Sequence, residues 1–162
     1  MAGIFQVAGI LIPFAGMIAL VKRKQQSESS MKLLMATVGC IIMNSGYLLF
    51  LISESSDAAM TALKMEYLGN AFFYFFFVQF LLAYQKIKIP EFLVYIWGLF
   101  ECITVGIYWQ DHLRENLFGK ILCIPHDKFH YMTVQIEQST FYMIRYCALS
   151  LVLAAGLIYG TF

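Results

Sequence analysis

The chain has 162 residues, 60% of them apolar and 13% charged, with a formal net charge of +1 and a mean hydropathy of +0.71. A soluble domain of this length carries charge on about a quarter of its residues, so much of this surface meets lipid. The composition predicts an all-α integral membrane helical bundle whose first partner is the bilayer, and it gives no case for nucleic acid.

Five apolar stretches are long enough to cross a hydrocarbon core of roughly 30 Å as helices, at about 4–21, 33–52, 67–84, 92–109 and 141–162. The first is not a cleaved signal, because no basic residue precedes it and Lys22, Arg23 and Lys24 follow it directly. Lys32 joins that basic cluster in the first connection, and Lys86 and Lys88 occupy the third. The other connections carry Glu54, Asp57 and Glu66 against Lys64, then four acids against Arg114, Lys120 and Lys128. Basic residues stay on the cytoplasmic side, so the N-terminus is expected outside and the C-terminus inside. The last span ends at Ile158-Tyr159-Gly160-Thr161-Phe162 without a basic residue to anchor it, which predicts a single membrane domain cut from a longer chain.

The connection 110–140 is too long for a plain turn. Within it Lys120 to Ile124, Pro125-His126-Asp127-Lys128 and Phe129 to Ile136 follow a strand, turn, strand pattern. An extracytoplasmic β-hairpin between the fourth and fifth transmembrane helices is therefore expected, leaning on the helix ends because an isolated hairpin is marginal in water. Cys40, Cys102 and Cys147 fall in apolar runs and only Cys123 in a polar connection, a pattern of free thiols.

A charged side chain at the centre of a bilayer is opposed by about 2.5–3.5 kcal/mol, so each polar residue in a span needs a reason. Gln6, Asn44, Asn70 and Arg145 fall in the outer half, Glu101 near the middle and Gln79 in the inner half. Helical spacing places Trp97, Glu101, Thr104 and Tyr108 on one face of the fourth span, and Tyr67, Asn70 and Tyr74 on one face of the third. The fifth offers Tyr142, Arg145 and Tyr146, and the second Asn44 and Tyr47. Their shared depth predicts an aromatic and polar pocket open to the outside beneath the hairpin, where Arg145 and Glu101 engage a charged or zwitterionic small ligand. The plainer reading pairs Glu101 with Arg145 and leaves Asn44 and Asn70 to interhelical hydrogen bonds worth about 0.6–2 kcal/mol each.

Other patterns carry less. The run Phe72-Phe73-Tyr74-Phe75-Phe76-Phe77 covers every side of its helix, as lipid contact and packing do. Cys123, His126 and His130 have a Cys-x2-His-x3-His spacing, but zinc needs three or four converging ligands and the second cysteine is missing; exposed loop histidines are the simpler reading. With no phosphate loop, no nucleophile beside a base and no paired intramembrane acids, neither catalysis nor a cofactor is expected.

The segment Met65-Glu66-Tyr67-Leu68-Gly69-Asn70-Ala71-Phe72-Phe73, continuing to Tyr84, resembles the third span of the N-terminal seven-transmembrane sensor region of bacterial histidine kinases and diguanylate cyclases. Phe129-His130-Tyr131, and Phe141-Tyr142-Met143-Ile144-Arg145-Tyr146, are similar to that family's outer hairpin leading into its fifth span. The resemblance covers the first five spans. It implies a sensor of the bacterial inner membrane that detects an extracytoplasmic ligand or envelope signal, works as a homodimer and drives a cytoplasmic kinase or cyclase output domain. The rival classes are a small transporter or pore, and a structural subunit of a membrane complex. A permeation route needs polar residues through its whole depth, and below the middle there is little beyond Gln79.

Overall fold

The computed structural model describes the backbone of residues 2–22, 27–126, 131–136 and 140–160, with the side chains of 4–22, 27–124 and part of the last helix. Helix α1 (Ala2–Val21) is apolar all round and packs along α2 (Glu28–Leu51), leaving Ile4, Phe5, Leu11 and Ile12 exposed. In water such a helix would be unstable; in lipid it is at home. Ser27 caps α2 by accepting from the Ser30 N–H, and Glu28 in the first turn bonds Lys32 at 2.6 Å.

Helices α2 and α3 (Ser56–Tyr84) form the densest contact of the bundle. Glycines make it possible. A Cβ on Gly39 would lie 2.5 Å from the Phe73 backbone nitrogen, and one on Gly46 or Gly69 would strike the backbone of Glu66 or Met43. Between helices already surrounded by hydrocarbon, close backbone approach of this kind supplies the dispersion energy that holds them together.

Helix α3 has 29 residues and is about 43 Å long, well beyond the hydrocarbon thickness of about 30 Å. It begins at Ser56, capped by the Ser55 hydroxyl, rather than at residue 67. The charged residues Asp57, Lys64 and Glu66 set the limit of the apolar stretch without ending the helix, because polar residues are compatible with a helix once it is clear of lipid. Helix α4 (Glu91–Trp109) starts behind Pro90 and stops at Gln110.

The following connection contains a helix that the expected loop and hairpin did not include, α5 (Asp111–Phe118), ended by Gly119 at a φ of 90°. Strands β1 (Ile121–His126) and β2 (Tyr131–Ile136) then pair antiparallel, Cys123 opposite Val134 and Ile124 opposite Thr133. Pro125 and His126 belong to β1, paired with Met132 and Tyr131, instead of to the turn. Residues 127–130, including Phe129 and His130, lie outside the described residues. Helix α6 (Thr140–Gly160) has 21 residues and packs on α3 and α5. Among the described residues, four helices, α1 to α4, are long and apolar enough to cross a membrane.

The core sits at one end of the bundle. Phe50 from α2, Ala59, Ala62, Leu63 and Tyr67 from α3, Tyr108 from α4, Phe118 from α5 and Ile121 from β1 pack into one buried cluster. The first turns of α3 pack against β1, with the Ser56 hydroxyl donating to the Cys123 carbonyl at 3.4 Å, while α5 rests on α4 and α6.

Candidate functional site

Directly against this core lies an ion pair. The spacing of Trp97, Glu101, Thr104 and Tyr108 along α4 turns all four toward α3 and α6. Glu101, Thr104 and Tyr108 are buried. Arg145 of α6 donates from Nη2 to Glu101 Oε2 at 2.5 Å, and Trp97 Nε1–H donates to Glu101 Oε1 at 3.1 Å. Both carboxylate oxygens are thus engaged, and the side chains of Arg145 and Glu101 are 5% and 7% exposed. Removing two charges from water is tolerable only because each satisfies the other.

Aromatic rings complete the surroundings. The Arg145 guanidinium carbon lies 5.0 Å above the Tyr67 ring centroid, within range of a cation–π attraction. Tyr67 and Tyr108 stack with centroids 4.0 Å apart and planes 9° from parallel. Phe118 presents its edge to both at 5.4 and 5.2 Å and meets Phe141 at 5.5 Å. On the other side of Glu101, Trp97 packs edge-on against Phe75 at 5.2 Å.

The opening expected toward the hairpin is filled by these rings. The space runs the other way: a cavity of about 650 Å³ between α3, α4 and α6 extends from Glu101, Arg145 and Trp97 past Val78, Leu81, Phe100 and Leu149 to Ile87 and Ile89. Apart from the ion pair at one end and Gln85 near the other, its walls are apolar.

Of the residues expected to form the site, Tyr67, Trp97, Glu101, Tyr108 and Arg145 come together. Tyr47 lies at the fringe of the core cluster, with its ring 6.0 Å from Phe50. Asn70 is buried in α3 one turn from Tyr67, while the half-buried Tyr74 ring packs edge-on with Phe73 at 5.6 Å. Asn44 is not brought to the cluster. Its Nδ2 donates to the Cys40 carbonyl at 2.8 Å, and its side chain fills the space a Cβ on Gly9 would need, so it faces α1. The side chains of Tyr142 and Tyr146 lie outside the described residues.

Phe118 was missed from sequence. Its signal was a short one, Asp111 in a first turn, Leu113 and Leu117 four apart, Arg114 and Phe118 four apart, then Gly119. No group of three His, Cys, Asp or Glu suited to a metal occurs among the described residues; His130 and the His126 side chain are not among them. Cys123 is half-buried on β1, and burial raises its thiol above the ordinary value.

Outside the spans, Asp111 bonds Lys64 Nζ at 2.9 Å and Arg114 Nη1 at 2.6 Å. The Lys64 hydrogen bond, then that of Arg114, holds its carboxyl below the usual 3.8. This ties the start of α5 to α3.

Four helices long and apolar enough to span, with a buried cation–carboxylate pair joining one of them, α4, to α6, define a multi-pass membrane protein. The model of the N-terminal 7TM region of histidine kinase matches residues 5–162, and the chain belongs to that family. That family is a membrane-embedded input region of histidine kinases. No curated protein and no solved structure matches the chain.

Proposed function

We propose that the chain is a sensor input module in which α4 and α6, locked by Glu101 and Arg145, change their packing when a small ligand or envelope signal acts, and pass the movement to a cytoplasmic kinase. In this reading α6 is the fifth span, the N-terminus and the β1–β2 pair lie outside in a bacterial inner membrane, and the parent acts as a homodimer. The distribution of lysines supports that orientation. The observation that carries the reading is the buried Arg145–Glu101 pair at the end of the 650 Å³ cavity. A ligand biases two packings only if it binds them unequally, and one that reaches this pair competes for its hydrogen bonds in one packing alone. The apolar walls narrow the ligand to a mostly apolar molecule with one polar end. Trp97, which lines the cavity beside the pair, supplies a ring contact around that end.

The test is autophosphorylation of the histidine kinase parent in membrane vesicles. Glu101→Gln and Arg145→Met are each expected to shift the basal output at least several-fold, in the same direction, because each frees α4 from α6. Unchanged output in both variants, with normal insertion, removes the pair from the signalling path.

A further inference from the structure

The other end of the bundle holds a second cavity, of about 790 Å³, where the start of α2, the end of α3 and the start of α4 meet. Lys32, Lys86 and Lys88 line it, with Glu28 and Glu91 as the acidic residues. Glu28 is already matched by Lys32 at 2.6 Å. Gln79, from α3, also lines this cleft; it is 9% exposed, and its buried Nε2 has no hydrogen-bond partner among the described residues. A buried amide donor left unpaired costs about 1–3 kcal/mol, so its presence in a cleft lined by lysines calls for an acceptor.

The backbone at Lys86 is unusual as well. The Ile87 N–H reaches the Leu82 carbonyl at 2.9 Å and the Lys86 N–H reaches Ala83 at 3.2 Å, closing α3 in a Schellman motif whose left-handed residue is Lys86, with a φ of 60°. Glycine is the residue that fits this position without strain. A lysine there gains nothing for the turn and places an ammonium at the cleft.

The apolar side of the cleft says what the anion is attached to. Leu82, Ile87 and Ile89 line both this cleft and the apolar cavity that ends at Glu101 and Arg145. Polar cleft and apolar cavity thus share a wall where the end of α3 meets the start of α4. We infer that the cleft binds the phosphate of an anionic phospholipid, with Lys86, Lys88 and Gln79 donating to it, and that one acyl chain lies along Leu82, Ile87 and Ile89 in the apolar cavity. Glu91, exposed at the start of α4, is an acceptor suited to a headgroup hydroxyl. Basic pockets between spanning helices recognise such headgroups by the same chemistry.

The experiment is a thermal-stability titration of the whole chain in neutral detergent with phosphatidylglycerol, with phosphatidylcholine of the same acyl chains, and with inorganic phosphate. Phosphatidylglycerol is expected to stabilise at concentrations at which the other two do not. Lys86→Gln and Lys88→Gln should each weaken the response roughly five-fold, whereas Lys22→Gln, at the same membrane surface and outside the cleft, should not. Lys86→Gly should raise the melting temperature without lipid while weakening the lipid response, a split that loss of folding does not produce. Equal stabilisation by both lipids, an equal loss in Lys22→Gln, or inorganic phosphate matching the lipid would each overturn the assignment.

Discussion

Arg145 on α6 and Glu101 on α4 meet at 2.5 Å in a setting where neither side chain has an aqueous alternative. Their contact crosses the bundle and couples α6 to the remainder of it. Because breaking a buried pair strands a charge, it costs about 3–5 kcal/mol, whereas replacing both partners by apolar groups costs far less. Arg145→Met and Glu101→Leu should therefore each lower the stability in detergent by about that amount. The double variant should recover most of the loss. Strictly additive losses would show that the two groups are energetically independent.

Phe118 is 1% exposed and touches Tyr67, Tyr108 and Phe141. Truncation of a buried phenylalanine costs about 3–5 kcal/mol, and Phe118→Ala should do so while leaving membrane insertion intact, since α5 lies outside the apolar spans. Protease sensitivity in the 110–140 connection is the readout. Cleavage at the wild-type rate would mean that α5 is held by something other than this side chain.

At Gly69 any side chain meets the backbone of Met43, which no rotamer change relieves. Gly69→Ala should force α2 and α3 apart and lose the contacts at Gly39 and Gly46 together. A cysteine pair placed across that interface would cross-link in the parent and fail to do so in the variant; efficient cross-linking in both contradicts the close approach.

Asp111 gives the cap an acid limit. Its carboxyl titrates below 3.8 in the folded chain because Lys64 and then Arg114 hydrogen-bond it. The contribution is complete above the unfolded value and is lost as the pH falls through the lower, folded one. With 69% of the Asp111 side chain exposed, solvent screening keeps the effect small. Asp111→Asn should flatten the decline of melting temperature below about pH 4 and leave neutral pH nearly unchanged. A parallel decline in wild type and variant would assign the acid sensitivity to other groups.

Half of the residues expected at the candidate site come together, and that much was legible because a helix repeats. Trp97, Glu101 and Tyr108 share a face by spacing alone, and an acid and an arginine in two apolar stretches have few partners but each other. Asn44 shows where spacing stops: depth places it beside the others, but which neighbour its face meets depends on Gly9, a residue with no side chain to announce itself. Helix α5 escaped because 8 residues span barely two turns, too few for a period to stand out. The cavity's direction was illegible for the same reason, since Phe118 is what occupies the end nearer β1.

The length of α3 has a mechanical consequence. One uninterrupted helix of 29 residues joins the aromatic cap to the basic cleft, and a tilt of about 5° about Tyr67 carries its far end, about 26 Å away, through about 2 Å. A rocking of the cap thus becomes a sideways stroke at Lys86 and its neighbours about half as large again.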